Sequence, residues 1–263
     1  MDTWRLLLDG DAHGFWNMGV DEALAASAAA GGPATLRLYA WRGAWLSLGY
    51  AQRASPERAG ACRAAGTGVV RRATGGRAVL HGSDLTYAVA AHESALPDGL
   101  GATYELVGDA LADALAGLGI AAERAIPTGA AGAGFDCFAA PAGDEFCVDG
   151  RKLVGSAQLR AGGAVLQHGS LRLAPDPPEA CRAAGLPGSA ATSLVEIGCA
   201  ASAERVRALL VAAFEAALGA SLRPGQLTRA ERDLARNRGA SPRRRAAKAD
   251  RDAAQGVSGL ADT

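Results

Sequence analysis

The period of apolar and polar positions changes repeatedly along the chain. Trp4 to Leu8 reads as a strand. Asn17 to Ala30 reads as a helix, with Met18, Val20, Ala23 and Leu24 on its apolar positions and Gly31-Gly32-Pro33 ending it. Thr35 to Tyr39 alternates, and Trp45 to Gly49 is a second short strand. Ser55-Pro56 opens a short helix whose Glu57 suits the positive end of the helix dipole. Gly68 to Arg72 and Leu85 to Ala91 are strand-like, and Tyr104 to Leu118 has helical spacing stopped by Gly119. Gly129 to Ala142 reads as a loop. Glu145 to Val148 and Lys152 to Gln158 flank Asp149-Gly150, a strong hairpin signal. Ala164 to Gln167 and Ser170 to Leu173 continue the strands, and Pro175 to Pro178 breaks the pattern. Ser193 to Glu196 caps or precedes a helix, and Ala203 to Leu218 is an amphipathic helix. Clustered strands with helices between and after them predict an α+β or mixed α/β domain without internal repeats.

The pattern weakens near Arg223. Ten basic residues fall between Arg223 and Arg251 with few large apolar side chains among them. The expected division is a packed domain over 1–222 and a basic tail over 223–263, with a short helix at Leu227 to Arg236 and disorder from Arg238 onward. A solvated terminus is the favoured reading of that tail over contact with nucleic acid or acidic partners.

Composition narrows the class. The chain has 263 residues, 49% of them hydrophobic, which is enough to bury a sizeable core. The formal net charge of +0 excludes the basic footprint of a general nucleic-acid binder. No apolar run reaches the ~18–20 residues of a membrane span, and no secretory h-region is visible. A soluble cytoplasmic monomer is expected. The five cysteines are at 62, 137, 147, 181 and 199, an odd number that argues against a disulfide framework, and they lack zinc-ligand spacing. Free thiols are therefore expected, most of them small buried apolar groups, and no metal site. Lysine occurs only at Lys152 and Lys248, against arginine elsewhere, as a GC-rich coding sequence would give. A lysine retained in a Gly-rich stretch suggests that an amine is needed there.

Three segments carry candidate chemistry. The first, Arg71 to Tyr87, holds Gly75-Gly76 after a strand, with Arg71, Arg72, Thr74, Arg77, Ala78 and His81 around it. Paired glycines let the backbone approach a ligand and turn N–H groups toward negative charge or a carbonyl oxygen. It is neither a P-loop nor a dinucleotide turn, because no Gly-Lys-Ser/Thr and no GxGxxG follow. In the second segment, the hairpin aims Lys152 at the start of a strand, and Gly155, Ser156, Ala157 and Gln158 follow it. An amine there can stabilise a thiolate or a carbonyl oxygen. The third, Leu166 to Ser170, places His168 between Gln167 and Gly169; taken alone, a structural histidine is the better reading.

Together and in this order the three segments resemble the biotin/lipoate protein ligase and lipoyl/octanoyl transferase superfamily. Asn17 to Leu24 and Leu46 to Tyr50 fit as well, so the resemblance covers roughly residues 4 to 230. It implies a mixed-sheet fold of the biotinyl/lipoyl ligase type, which periodicity does not show. Phe135-Asp136-Cys137-Phe138-Ala139-Ala140-Pro141 resembles the cysteine loop of LipM-type octanoyltransferases, and Arg77 and Leu85-Thr86-Tyr87 agree with that type. The implied chemistry takes octanoyl from acyl carrier protein onto Cys137. It then passes the group to a lysine of a lipoyl domain, such as glycine cleavage H protein or a 2-oxoacid dehydrogenase E2. Lys152 resembles the lysine that in this type lowers the thiol pKa and helps hold the acyl carbonyl, and N–H groups near Gly75-Gly76 and Gly155 are candidate oxyanion donors. No cofactor is required. Cys147 is the competing nucleophile, but alternation makes it a strand residue. The alternatives are an ATP- and Mg-dependent lipoate or biotin ligase, an octanoyl amidotransferase between lipoyl domains, and a non-catalytic carrier-binding module.

Overall fold

The computed structural model describes residues 2–125, 135–137, 145–186 and 191–238. In chain order the elements are β1 (Asp2–Ala12), α1 (Gly14–Ala29), β2 (Thr35–Trp41), β3 (Trp45–Leu48), α2 (Pro56–Ala64) and β4 (Gly68–Arg71). Then follow β5 (Val79–His81), β6 (Asp84–His92), α3 (Leu100–Gly117), β7 (Glu123–Arg124) and β8 (Phe146–Val148). The chain continues through β9 (Arg151–Ala161), β10 (Ala164–Arg172), α4 (Pro178–Ala184), α5 (Ala203–Leu218) and β11 (Ala220–Pro224), and ends in α6 over 229–238.

Eight strands form one mixed sheet in the order β11-β1-β2-β6-β10-β9-β8-β7, and β4-β3-β5 form a smaller one. β1 pairs in parallel with β11 and β2, whereas β2 through β9 pair antiparallel. This is the mixed α/β class that the clustered strands imply. Strand alternation sorts the large sheet into two faces. Leu36, Leu38, Leu85, Tyr87, Val89 and Val165 join α3 and α5 in the larger core. Leu7, Tyr39, Trp41, Ala88, Ala90 and Leu166 face the other way, against Met18, Val20, Ala23 and Leu24 of α1. The second face also carries Arg37, His168 and Ser170, all buried, so polar chemistry collects under α1.

Local signals act where they are expected. Ser55 caps α2 by accepting from the Arg58 N–H at 3.3 Å, with Pro56 in the first turn. Asp149 (φ 50°) and Gly150 (φ 70°) make the hairpin turn between β8 and β9.

Several boundaries differ. Ala164 to Arg172 is one strand rather than two, because β10 pairs continuously with both β6 and β9 through His168 and Gly169. The proline break ends in α4, with Pro178 opening the helix and Gly185 (φ 64°) closing it. Ser193 to Glu196 forms a turn held by Ser193 Oγ–Glu196 hydrogen bonds. β5, β7 and β11 are too short for periodicity to register. The division expected at residue 222 falls inside β11, and α6 packs back on the domain. Thr228 and Glu231 form a reciprocal capping box, the Thr228 N–H reaching Glu231 Oε2 at 2.7 Å and the Glu231 N–H reaching Thr228 Oγ1 at 3.2 Å. Glu231 also clasps Arg5 of β1 at 2.7 Å, and Ala235 is fully buried. Among the described residues, no helix is long and apolar enough to cross a membrane.

Candidate functional site

Residues 135–137 run beside β5, forming a parallel bridge between Ala78 and Asp136. The Ala78 N–H donates to the Phe135 carbonyl at 2.9 Å, and the Cys137 N–H donates to the Ala78 carbonyl at 2.8 Å. Gln52 binds the Phe135 carbonyl at 3.0 Å, and the Arg58 guanidinium covers the Phe135 ring at 3.7 Å. The double-glycine segment thus grips the cysteine segment through Ala78.

Lys152 leaves the hairpin turn at the start of β9 and is fully buried. Its Nζ donates to the Cys137 carbonyl at 2.9 Å, lies 3.5 Å from Cys137 Sγ and contacts the Glu145 carboxylate. Glu145 is itself buried. A bulge between Phe146 and Cys147 breaks the hairpin register at this point. Cys147 lies opposite Lys152 in that register, but burial and then the nearby Glu145 carboxylate push its thiol up. It is a strand residue, as alternation implies.

Two buried Asp–His–hydroxyl chains stand beside the pair. In one, His168 Nδ1 lies 2.9 Å from Asp21 Oδ2 and Nε2 lies 2.7 Å from Thr74 Oγ1. Burial pushes the Asp21 carboxyl up, but contacts with His168, Arg37 and Tyr39 outweigh it and hold the group below the usual carboxylate range. In the other, His81 Nδ1 lies 2.8 Å from Asp84 Oδ2 and Nε2 lies 2.9 Å from Ser47 Oγ. Asp84 also accepts from Ser170 (2.6 Å), Thr86 (3.0 Å) and the Gly82 N–H (3.0 Å). These partners outweigh burial and hold its carboxyl down too. With both aspartates ionised, each histidine donates from Nδ1. Ser47 Oγ contacts His81 Nε2 and accepts from Arg72 at 3.2 Å. Trp41 stacks on His81 with ring centroids 3.9 Å apart.

These elements line a small pocket that is partly open to solvent. Cys137, Arg72, His81, Gly155, Ser156, Ala157, His168 and Gly169 line it. Thr74 reaches it through His168. Gly75 and Arg77 offer their carbonyls to Arg72 at 2.8 and 2.7 Å, and Gly76 turns the loop at φ 86°. Arg77 reaches the Asp136 carbonyl at 3.4 Å. Arg71 and Gln158 also lie off the lining, with partners of their own. Arg71 is exposed and donates to the Tyr50 carbonyl at 2.9 Å and to the Gln52 carbonyl, bracing that loop. Gln158 bonds Gln167 at 2.6 Å. The part of the cysteine loop over 138–141, and most of the loop expected over 129–142, lie outside the described residues.

Sequence reasoning missed Ser47, Trp41, Asp21, Asp84 and Glu145. Asp21 and Asp84 sit inside segments already singled out, and a carboxylate near a histidine-bearing strand is the signal that would flag them. Glu145 carried no motif in the sequence.

Comparison with known proteins places this architecture among the lipoyl protein ligase catalytic domains. Residues 13–215 match the family described as "Lipoyl protein ligase A/B catalytic domain". Octanoyltransferase LipM of Kyrpidia tusciae is 42% identical over 258 residues, spanning 89% of this chain and 94% of that protein. The enzyme of the same name from Symbiobacterium thermophilum is 40% identical, spanning 88% and 92%. Among solved structures, a lipoate-protein ligase A bound with ATP aligns with a TM-score of 0.78 at 23% identity, covering 91% of this chain and 94% of its own. A bi-partite lipoate protein ligase from Thermoplasma acidophilum aligns at 0.69 and 23%, covering 91% and 92%. At these identities the two structures establish the fold alone. The chain belongs to the lipoyl protein ligase A/B catalytic-domain family, and within it to the LipM octanoyltransferases.

Proposed function

We propose that this chain moves octanoyl from octanoyl-acyl carrier protein onto Cys137 and then onto a lysine of a lipoyl domain, without ATP or Mg. The observation that carries this reading is the buried Lys152 amine, 3.5 Å from Cys137 Sγ and bonded to the carbonyl of Cys137, which itself lines the cavity. A cation against a thiol favours the thiolate, which is the attacking species. Its electron pair adds to the carrier thioester, the carrier thiol leaves, and the acyl group becomes a Cys137 thioester. Exchange of one thioester for another is nearly neutral, so no nucleotide is needed. The amine of the acceptor lysine then adds to that thioester, and the amide product draws the reaction forward. The acyl tail occupies the cavity, where each methylene contributes roughly 0.8 kcal/mol of apolar burial. Gly155 and Gly169 line it, and β9 and β10 pack too closely there for a side chain: a Cβ on Gly169 would lie 2.5 Å from the Tyr87 ring and 2.7 Å from the Gly155 carbonyl. Glycine cleavage H protein and the lipoyl domain of a 2-oxoacid dehydrogenase E2 are the acceptors to test.

Intact-mass spectrometry of the protein mixed with octanoyl-carrier and no ATP tests the proposal. One octanoyl adduct labile to hydroxylamine is expected on the wild type and none on Cys137→Ala. ATP-driven transfer that survives Cys137→Ala would instead identify a ligase.

A further inference from the structure

The Glu145 carboxylate complicates a simple cation–thiolate pair. Lys152 and Glu145 are both buried and in contact, so the amine's charge is already balanced. A thiolate formed by losing its proton to water would leave two anions around one cation in a dry cluster. Burial penalises that excess charge. A neutral cluster results only if a second group takes the proton, and Glu145 is the carboxylate in contact with Lys152.

We propose that Glu145 is the proton acceptor for Cys137, acting through Lys152. This rests on the reading of Cys137 as the nucleophile. The Lys152 ammonium gives one proton to the Glu145 carboxylate, and the amine so formed takes the thiol proton as the S–H bond breaks. The cluster then holds a thiolate, an ammonium and a carboxylic acid, with its net charge unchanged. The thiolate attacks the carrier thioester. As the carrier sulfur departs it takes a proton back from Lys152, which recovers one from Glu145. The cluster returns to carboxylate and ammonium beside an acylated Cys137, and no other reactant enters. Glu145 touches no substrate, so its role is to accept the proton and to position the lysine.

The test is the pH dependence of Cys137 acylation by octanoyl-carrier, alongside the pH dependence of Cys137 alkylation by iodoacetamide. Wild type is expected to acylate at a rate nearly flat around neutrality, because the proton stays inside the cluster. Glu145→Gln keeps the size and a hydrogen bond to Lys152 but cannot take the proton. Its rate is expected to fall about 100-fold at pH 7 and to rise tenfold per pH unit. A Gln variant whose profile runs parallel to wild type, or which reacts equally fast or faster at neutral pH, overturns the assignment. Should the Gln variant not fold, Glu145→Asp decides: a slower but still flat profile supports proton acceptance, and a slope of one overturns it. Absence of an octanoyl adduct on wild type would sink the reading of Cys137 itself. An adduct on wild type with a parallel Gln profile sinks only the role of Glu145.

Discussion

Gly49 packs backbone against backbone on the double-glycine loop, and this joint yields the sharpest prediction. A Cβ built on Gly49 would lie 1.9 Å from the Gly76 carbonyl oxygen and 2.8 Å from its carbon. Ordinary contact begins near 3.4 Å, so Gly49→Ala forces the loop back by about 1.5 Å. Neither side yields easily. Gly49 is fixed by its N–H to Gln52 Oε1 at 3.1 Å, and the loop by the Tyr50 N–H to the Thr74 carbonyl at 2.9 Å. The shift would strain Arg72's bonds to the Gly75 and Arg77 carbonyls and, through Ala78, displace Cys137 relative to Lys152. Overpacking of this kind costs about 1–3 kcal/mol. A misplacement of ~1 Å at a reacting centre costs about 100-fold in rate. The assay is the time course of octanoyl adduct formation by intact mass, measured well below the melting transition, with thermal unfolding in parallel. Gly49→Ala is expected to stay folded with a lower Tm and to acylate about 100-fold more slowly. An alanine variant with wild-type rate and wild-type Tm would refute the idea that the loop positions the cysteine segment.

Two further outcomes follow from the same geometry. Burial pushes the Glu231 carboxyl up, but hydrogen bonds from Arg5, the Thr228 N–H and Ser27 outweigh it and hold the group at about 2, below its ordinary 4.5. A carboxyl depressed on folding stabilises above its unfolded pKa, so this contribution is present above pH ~4.5 and is lost as pH falls toward 2. Glu231→Gln is expected to lose about 3 kcal/mol at pH 7 and to show a flatter acid limb in urea denaturation between pH 5 and 2; equal stability at pH 7 would contradict the clasp. Burial raises the thiols of Cys62, Cys147 and Cys181, whereas Cys137 is partly exposed beside a lysine amine. Iodoacetamide at pH 7 is expected to label Cys137 roughly tenfold faster than those three, read by peptide mapping. Comparable labelling of Cys147 would reverse the choice of nucleophile.

Local chemistry made much of the fold legible. The Asp149-Gly150 turn, the Ser55-Pro56 cap and the alternation of β2 and β6 depend on neighbours in the chain, and so they are written in consecutive residues. β5, β7 and β11 are not, because strands of two to five residues acquire stability only from the sheet edge that receives them. Arg37 shows the same limit. A cation in the middle of an apolar strand reads as a misfit, yet Asp9 from β1 and Asp21 from α1 meet it at 2.7 and 2.8 Å.

The site divides in the same way. Motifs in the sequence by itself determined the family resemblance and pointed to Cys137 and Lys152 as candidates, because each is carried by a short run of residues. Only the tertiary structure decided that Arg71 braces a loop while Arg72 lines the cavity, and that Asp21 and Asp84 hold the two histidines. It also decided that Glu145 meets the lysine. These are contacts that no short run of residues spells out. Their distances are set by how the two sheets and α1 close around a common cavity, which no local pattern encodes.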